Sequence, residues 1–232
     1  MSQALAAYAP HAFTTRAFDA AASRDGRAAL GHLFTMPASA VVRVRQVHGA
    51  DVRKVCPDQD VGAEAADAIV STDPSRVVAV AIADCVPVLL ADRNGRVVAA
   101  VHAGWRGTVA GVVGAAVASI VEVGIPASDL VAAIGPSIGP CCYQVDRPVR
   151  EAFLSRYPRA ETWLSADGEA HWKLDLWAAN ECALVDAGLS PGAIHVARLC
   201  TFERPDVCHS FRRDGAAAGR MFAAVRLQPA DA

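Results

Sequence analysis

Residues 77–103 read VVAVAIADCVPVLLADRNGRVVAAVHA, and this stretch decides the fold class. Its three short runs rich in valine, Val77–Ala83, Val86–Ala91 and Val97–Val101, are typical of buried or half-buried strands. The last two runs are separated by Asp92–Gly95, whose Asn-Gly pair tolerates the positive φ angles of a hairpin turn. Pro87 cannot donate a ladder hydrogen bond, so it predicts a break, a bulge or an edge position rather than one continuous central strand.

Further strands and helices are predicted on both sides of this stretch. The strands are Val41–Val47, Val52–Val55, Leu130–Ile134, Ile194–Ala197 and Met221–Leu227, and the helices are Thr108–Glu122, Pro148–Tyr157 and Asp175–Ala187. Thr108 is the expected N-cap of the first helix, in which close packing on the sheet would explain why Gly111 and Gly114 are tolerated. Hairpins outnumber clean crossover units. The pattern therefore favours an α/β fold with mixed β-sheets flanked by helices over a doubly wound nucleotide-binding fold.

Length and composition restrict the classes of function. The 232 residues carry a formal net charge of -2, and no repeat, charge block or flexible linker divides them, so we predict a single domain over residues 1–232. No basic stripe is present for a polyanion, and no stretch is apolar enough for a membrane span. The N-terminus lacks a secretory signal, and an odd number of cysteines, seven, fits reduced thiols. We expect a cytoplasmic protein without nucleic-acid or membrane partners; its oligomeric state does not follow from the sequence.

Three residues of the kinds that bind metals follow apolar runs directly. His48 follows Val41–Val47, Cys85 follows Val77–Ala83 by one residue, and His102 follows Val97–Val101. A strand end delivers its next side chain to the rim of a sheet, where a pocket can form. One thiolate and two imidazoles meeting there would make a zinc site with an open fourth position, as catalytic zinc sites have.

Each of these residues also has a simpler explanation. A lone His after a strand is usually a hydrogen-bonded structural residue, and a lone buried Cys is usually inert packing. The chain has no CxxC and no HxxxH motif, and the spacing between the three residues is long. What favours function is their shared context, because all three stand at strand ends beside glycine, proline or a charged residue.

Two arginine segments are candidates for anion binding. Arg106, in Gly104-Trp105-Arg106-Gly107, stands just before the predicted helix, where free N–H groups and a guanidinium would attract phosphate or carboxylate. The alternative is that Arg106 stacks on Trp105 or pairs with a nearby acid. Arg212 and Arg213 form the second segment; structural ion pairs are its default explanation, and a clamp on a substrate anion is the other.

The segment Gly135–Tyr143 is stiff, because its glycines permit unusual backbone angles and its prolines fix others. It could form the wall of a pocket. Its adjacent cysteines, Cys141 and Cys142, are poor candidates for an ordinary structural disulfide. A nucleophilic role would require a base that cannot be named from the sequence, so we interpret both as packing residues.

Five motifs in order now support a resemblance to a known family. They are Gln46-Val47-His48-Gly49, Ala83-Asp84-Cys85-Val86-Pro87-Val88, His102-Ala103-Gly104-Trp105-Arg106-Gly107, Ile134-Gly135-Pro136-Ser137-Ile138-Gly139-Pro140 and Arg212-Arg213-Asp214-Gly215. From about Val41 to its C-terminus, the chain resembles the YfiH-like polyphenol oxidoreductase laccase-domain proteins, now regarded as purine nucleoside phosphorylases. The resemblance implies an α/β/α fold of mixed sheets similar to that of bacterial-toxin cysteine hydrolases. It also implies zinc at His48, Cys85 and His102, phosphorolysis of adenosine, inosine and methylthioadenosine, and deamination of adenosine.

The chain departs from the family pattern near its N-terminus. Family members usually carry a Gly-Gly-Val-Ser stretch and a later Ser-Leu-Asn-Leu segment where Ala17–Gly31 offers neither. Gln144 replaces the family's usual glutamate, and Asp146 stands where glycine is usual. If the missing segment builds one side of the nucleoside pocket, the choice of substrate would change while the metal ligands would not.

The resulting hypothesis is a zinc enzyme whose substrates are purine nucleosides and phosphate. Cys85, as thiolate, and His102 are the leading candidates for catalysis, and Asp84 is the candidate for proton shuttling. Arg106 and the helix beginning at Thr108 are the expected phosphate site, with Arg212 or Arg213 in reserve.

Three alternatives stay open. In a metal-free cysteine hydrolase, Cys85 would attack an amide or ester with His102 as base. Copper-dependent phenol oxidation is possible, because a thiolate and imidazoles also bind copper, but multicopper electron transfer needs many more histidines. The third alternative is a non-catalytic homologue whose pocket has degraded.

Overall fold

The computed structural model describes residues 2–18, 26–57 and 64–228, and within them the chain forms mixed β-sheets flanked by helices, as predicted. The strands of these segments are β1 (His11–Phe13), β2 (Val41–Val42), β3 (Val52–Val55), β4 (Ala68–Ser71), β5 (Val77–Ile82), β6 (Val86–Asp92), β7 (Val98–Ala103), β8 (Leu130–Ile134), β9 (Gln144–Asp146), β10 (Leu164–Ala166), β11 (His171–Leu174), β12 (Ile194–Val196) and β13 (Met221–Arg226). The α-helices are α1 (Gln3–Ala6), α2 (Arg27–Leu33), α3 (Trp105–Ala110), α4 (Val112–Val121), α5 (Arg147–Arg156), α6 (Leu176–Asp186) and α7 (Phe211–Asp214).

The strands form three sheets. A six-stranded sheet has the order β12-β8-β6-β7-β4-β3, a four-stranded sheet the order β1-β13-β5-β2, and a small sheet the order β10-β11-β9. Both larger sheets are mixed, because β12–β8, β3–β4 and β2–β5 pair in parallel while the other pairs are antiparallel. The predicted hairpin is confirmed: β6 pairs with β7 from Val86↔Ala103 to Ala91↔Val98. Asp92 closes its turn by accepting the N–H groups of Asn94, Arg96 and Val97.

The two larger sheets stack face to face between helices. Along β6, Val88 and Leu90 belong to the core shared with α4 and α6, whereas Leu89 and Ala91 face the four-stranded sheet. All seven residues of β6 are buried, which explains why this segment is continuously apolar. On the far side of the four-stranded sheet, α2 contributes Leu30 to a smaller core. The order of layers is therefore helices, six-stranded sheet, four-stranded sheet and helix.

Two predictions about strands are wrong. Pro87 does not break or bulge its strand, and β6 lies in the interior of the sheet. The ladder between β6 and β8 begins only at Val88, and the Pro87 carbonyl accepts the Gly135 N–H at 3.0 Å, so the missing N–H falls at the end of the ladder. The strand predicted over Val41–Val47 is confined to Val41–Val42, because the following residues form the loop that carries His48.

The helix predicted over Thr108–Glu122 is two helices, and Thr108 is not its N-cap. Helix α3 begins at Trp105 with Gly104 as N-cap. Gly111 adopts φ 86°, a left-handed conformation that glycine tolerates, and it separates α3 from α4. Close packing does not explain Gly114, because a Cβ at this position would have no neighbour within 4 Å.

The segment Ala17–Gly31, which departs from the family pattern, is described only in part. Residues 19–25 of the Ala17–Gly31 segment lie outside the described residues, whereas Phe18 packs edge-on against Phe222 at 6.2 Å.

Among residues 2–18, 26–57 and 64–228, none of the helices combines the length and apolar character needed to cross a bilayer.

Candidate active site

His48, Cys85 and His102 converge at one edge of the sheets. One ligand atom from each lies within 4.8 Å of the others. The Cys85 Sγ is 3.9 Å from His48 Nε2, and the two imidazole rings meet edge to face with centroids 4.9 Å apart. His102 is buried, Cys85 is half-buried and His48 is exposed, so the group opens to solvent on the His48 side. The structure thus brings together three side chains from well-separated parts of the sequence.

A buried carboxylate, Asp67, orients two of these three side chains. One of its oxygens lies 2.8 Å from His102 Nδ1, which leaves Nε2 as the nitrogen available to a ligand. The backbone N–H groups of Val47, His48 and Gly49 donate to the same carboxylate at 3.1, 3.0 and 2.7 Å. A carboxylate behind a metal-binding histidine fixes its tautomer and ring orientation. Asp67 does this for His102 and also fixes the backbone that carries His48.

Two residues of the site have backbone angles that L-amino acids rarely adopt. His48 has φ 61° and Asp84 has φ 89°. The Asp84 carbonyl accepts the Ile138 N–H, and its carboxylate accepts from Thr201 Oγ1 at 2.6 Å, Ser210 Oγ at 3.0 Å and the Arg212 N–H at 2.6 Å. Such conformations persist only where surrounding contacts impose them. The anchored Asp84 aims the next residue, Cys85, into the site.

Gly104 permits the close approach of the ligands. A Cβ at this position would lie 2.9 Å from the Cys85 Sγ and 3.1 Å from His48 Cδ2. Because any side chain here would collide with the thiol, the Gly104 of the His-Ala-Gly-Trp motif serves the packing of the site rather than an unusual φ angle.

Hydrogen bonds lower the pKa of the thiol and raise the pKa of one imidazole, so that the imidazole becomes the more basic of the two groups. Burial acts to raise the pKa of Cys85, but hydrogen bonds with His102 and His48 outweigh it and lower the pKa to about 7. Burial acts to lower the pKa of His102, yet hydrogen bonds with Asp67 and Cys85 raise it to about 9. Burial also acts to raise the pKa of Asp67, but bonds from His102 and from the Gly49 and Val47 N–H groups hold it below its usual value. The metal-free site therefore favours a thiolate beside a protonated imidazole.

This donor set fits a metal ion. Thiolate sulfur and imidazole nitrogen are the ligands of zinc, and soft thiolate also accepts copper(I). A tetrahedral ion with bonds of about 2.0–2.3 Å separates its ligand atoms by roughly 3.5 Å. The three ligand atoms, all within 4.8 Å of one another, need only small side-chain adjustments to reach that spacing.

The three ligands line a cavity of about 630 Å³. Its wall also carries guanidinium groups and aromatic rings, from Arg43, Arg45, Arg106, Arg212, Arg220, Trp105, Tyr143 and Phe211. Among the described residues of the lining, Asp84 is the one carboxylate, and its oxygens already accept three hydrogen bonds. The cavity is consequently rich in positive charge and offers flat apolar surfaces next to the ligands.

Arg106 and Arg212 each lie over an aromatic ring. The Arg106 guanidinium carbon is 4.2 Å from the centre of the Trp105 ring, and that of Arg212 is 5.1 Å from the centre of Tyr143. Arg212 also donates to the Gln144 carbonyl at 2.9 Å. The stacking alternative for Arg106 is therefore present, and it leaves the guanidinium on the cavity wall. Arg106 is the second residue of α3 rather than a residue preceding it.

Arg213 lies outside the cavity lining. Its guanidinium donates to the carbonyls of Thr201, Phe202 and Cys208 and pairs with Asp214. These contacts join the two ends of the segment 201–214, as expected from the structural reading of this arginine pair.

The pocket wall expected from the segment Gly135–Tyr143 is present, because Ile138 and Tyr143 line the cavity. Sequence reasoning missed Asp67 and Phe211. Asp67 had a detectable signal, because an acid directly before the apolar run Ala68–Val70 is an expensive residue to bury without a purpose. Phe211 carried no such signal, since only the fold brings its segment to the cavity.

The comparisons with known proteins extend these observations. A sequence model of the family described as multi-copper polyphenol oxidoreductase laccase matches residues 11–228. The chain belongs to this family. The site brings together one thiol and two imidazoles, which are fewer candidate metal ligands than the word multi-copper in the family's description suggests.

Relatives in the family are named for a different activity. A protein of Deinococcus radiodurans named purine nucleoside phosphorylase is 34% identical over 235 residues, covering 94% of this chain and 89% of the relative. Escherichia coli purine nucleoside phosphorylase YfiH is 35% identical, covering 86% and 77%. A Bacteroides thetaiotaomicron purine nucleoside phosphorylase is 36% identical, and there the match covers 69% of this chain and 60% of the relative.

Solved structures confirm the fold. The crystal structure of the Bacillus licheniformis hypothetical protein YfiH superposes with a TM-score of 0.87 at 27% identity, covering 95% of this chain and 93% of that one. YlmD from Geobacillus stearothermophilus gives a TM-score of 0.82 at 29% identity, covering 95% and 90%. The expected family and its arrangement of mixed sheets flanked by helices are therefore confirmed.

Proposed function

We propose that this protein is a zinc-dependent enzyme that acts on purine nucleosides, cleaving adenosine, inosine and methylthioadenosine with phosphate and deaminating adenosine. The observation that carries the proposal is the convergence of His48, Cys85 and His102 on a cavity lined by arginines and aromatic rings. The names of the relatives supply the substrate class.

His48, Cys85 and His102 would hold the ion, with copper as the alternative metal. A bound zinc supplies Lewis acidity and lowers the pKa of a coordinated water to about 7. Asp67 keeps the His102 ring oriented and its Nε2 directed to the ligand group. Cys85 enters the site as thiolate, favoured by its lowered pKa.

We assign phosphate binding to Arg106 and Arg212. Both guanidinium groups line the cavity and stack on Trp105 and Tyr143, and Arg212 is held further by one N–H donated through Nη1 to the Gln144 carbonyl. An arginine side chain can donate two parallel hydrogen bonds to phosphate oxygens. Arg213, whose guanidinium already donates to three backbone carbonyls, is assigned to hold the segment 201–214.

The purine ring requires a flat apolar surface. Phe211 lies on the cavity wall with 53% of its surface exposed, and it is our candidate for stacking on the base. Asp84 was the candidate for proton shuttling. Because its carboxylate already accepts three hydrogen bonds from Thr201, Ser210 and Arg212, we now assign it to positioning Cys85.

A metal-free cysteine hydrolase is the second candidate, and one observation favours it. Asp67, His102 and Cys85 form a chain of acid, imidazole and thiol, the arrangement that activates a cysteine nucleophile. In that reaction, the Cys85 sulfur would form a bond to a carbonyl carbon, and His102 would pass its proton to the leaving group.

The two candidates are separated by measuring metal content and products together. Protein purified without added metal is analysed for zinc and copper. It is then incubated with each nucleoside, with and without phosphate, and the products are resolved by chromatography. We expect bound zinc in the purified protein. Free base should appear only when phosphate is present, together with ribose 1-phosphate from adenosine and inosine and methylthioribose 1-phosphate from methylthioadenosine, and inosine should form from adenosine without phosphate.

The other outcomes each contradict the proposal. A metal-free enzyme that forms an acyl-thiol on Cys85 would be the hydrolase. Oxygen consumption with a phenol by copper-loaded protein would indicate the oxidase activity that the family's description implies. Stoichiometric zinc without turnover of any purine nucleoside would indicate a non-catalytic homologue.

A further inference from the structure

A second group of side chains of the kinds that bind metals lies outside the cavity described above. It consists of Cys141, Cys142, Cys200 and Glu203, and one ligand atom from each lies within 4.8 Å of the others. None of the four is among the residues that line the His48–Cys85–His102 cavity. We call these four residues the thiol cluster.

Two backbone segments assemble the thiol cluster. The N–H groups of Cys142 and Tyr143 both donate to the Gly139 carbonyl at 3.0 Å, which closes a tight turn and turns the adjacent thiols toward one side. The strand-like bridge between Ser137 and Cys200 brings in the third thiol, through Thr201 N–H to Ser137 O at 3.1 Å. The cluster therefore depends on tertiary pairing of residues 58 or more positions apart in the sequence, so no local CxxC motif announces it.

Burial, together with the neighbouring Cys200 thiol, raises the pKa values of Cys141 and Cys142, so a cation that binds here must displace their protons. The Cys200 Sγ accepts the Gly139 N–H at 3.3 Å, and a hydrogen bond to sulfur stabilises its negative charge. Cys200 is buried, Cys142 is half-buried, and Cys141 and Glu203 are exposed. A cation can thus reach the cluster from solvent while the innermost ligand stays fixed by the core.

We propose that the thiol cluster binds one thiophilic cation, zinc or copper(I), through the sulfurs of Cys141, Cys142 and Cys200. Glu203 supplies a carboxylate oxygen as the fourth ligand. Three sulfurs with one further protein ligand close all four positions of a tetrahedral ion, which is the pattern of a structural rather than a catalytic site. Binding forms three metal–sulfur bonds and releases the three thiol protons to solvent.

An ion at this position would brace the wall of the cavity. Ile138 and Tyr143 flank the turn, and the Ile138 N–H donates to the Asp84 carbonyl. Thr201, next to Cys200, donates to the Asp84 carboxylate at 2.6 Å. The cluster thus joins the two segments that hold Asp84 in its strained conformation. This role does not depend on which reaction the cavity performs.

The test uses cadmium(II) as a thiophilic metal, because thiolate-to-cadmium charge transfer absorbs in the ultraviolet in proportion to the number of bound thiolates. Cys85→Ala removes the thiol of the group formed by His48, Cys85 and His102, so thiolate absorption in this variant reports on the other cysteines. We expect Cys85→Ala to bind one equivalent with the absorption of three thiolates. Adding Cys141→Ser, an exposed and mild change, should remove one third of that absorption and weaken binding at least 10-fold.

Cys182→Ser is the matched control, because Cys182 is half-buried and does not belong to the cluster. It should leave the titration unchanged, and circular dichroism should show that every variant is folded. The proposal is overturned if Cys85→Ala binds no cadmium, or if Cys141→Ser and Cys182→Ser behave alike. It is also overturned if mass spectrometry of protein prepared under reducing conditions finds a Cys142–Cys200 disulfide in place of metal.

Discussion

The two groups of metal-type ligands differ in how the fold supports them. His48 lies in the loop after β2, Cys85 directly before β6 and His102 near the end of β7, and they are fixed by the buried Asp67 and by two strained backbone positions. The thiol cluster stands on a turn and a bridge, and its ligands are the cysteines themselves and one exposed carboxylate. The first group opens into a cavity of about 630 Å³, whereas the second supplies four protein ligands of its own.

This difference indicates which group is suited to catalysis and which is suited to structural support. A group with three ligands, a fixed second layer of hydrogen bonds and an adjoining cavity leaves room for a substrate. A group with four ligands leaves none, and it acts on the reaction only through the segments it joins. The variants below break or sharpen this distinction, beginning with the largest effect.

Removal of the Cys85 thiol should have the largest effect. We expect Cys85→Ala to lose metal from the first group and to reduce nucleoside turnover to background, because the anionic ligand is gone. Metal analysis and product chromatography measure both. If the purified variant retained stoichiometric metal at His48 and His102 together with turnover, Cys85 would not be a ligand.

Asp67→Asn should come next. Loss of a carboxylate behind a metal-binding histidine typically weakens metal affinity or activity by roughly 10–100-fold. Chelator competition would measure the affinity. Asp73→Asn is the matched control, because Asp73 is also buried and accepts from Ser75 and Arg76 but lies outside the cavity lining. Equal losses of affinity in the two variants would mean that Asp67 acts only through stability.

Arg106→Ala should raise the KM for phosphate roughly 10-fold or more, since a charge-assisted hydrogen bond contributes about 1.5–3 kcal/mol. Deamination of adenosine, which uses no phosphate, should change less. Arg156→Ala provides the comparison, because Arg156 lies over Tyr157 at 5.2 Å, away from the cavity lining. An unchanged phosphate dependence in Arg106→Ala would remove this residue from the phosphate site.

The smallest effects are expected from two glycines. Gly104→Ala forces a methyl group to 2.9 Å from the Cys85 Sγ, so metal affinity should fall several-fold without global unfolding. Gly114→Ala meets nothing within 4 Å and should instead raise the free energy of unfolding by about 1 kcal/mol, because alanine is the better helix former. Thermal unfolding and chelator competition on both variants test the pair; a Gly104→Ala variant with native affinity would show that the ligands tolerate displacement.

Much of the fold could be predicted because its central strands are buried on both faces and therefore read as continuous apolar runs. The break between α3 and α4 at Gly111 could not be predicted. A glycine within a helical pattern is compatible either with a continuous helix or with a left-handed residue that ends the helix. The prediction from Pro87 was wrong for a related reason. The sequence does not show where the hydrogen-bond ladder between a strand and its neighbour ends, because that depends on the tertiary structure. His48, Cys85 and His102 can be named as candidate ligands because they follow apolar runs within family motifs, whereas the role of Asp67 and the thiol cluster depend on long-range pairing.

The position of β13 has a consequence for biosynthesis. This strand lies between β1 and β5, so His11 pairs with Val225 and Met221 with Ile82. The four-stranded sheet cannot close while residues 221–226 are still inside the ribosome, even though the hairpin of β6 and β7 was translated long before. Contacts of such long sequence separation form late and slowly. During translation, the edge of β5 that later pairs with β13 therefore keeps unpaired backbone N–H and C=O groups until residues 221–226 emerge.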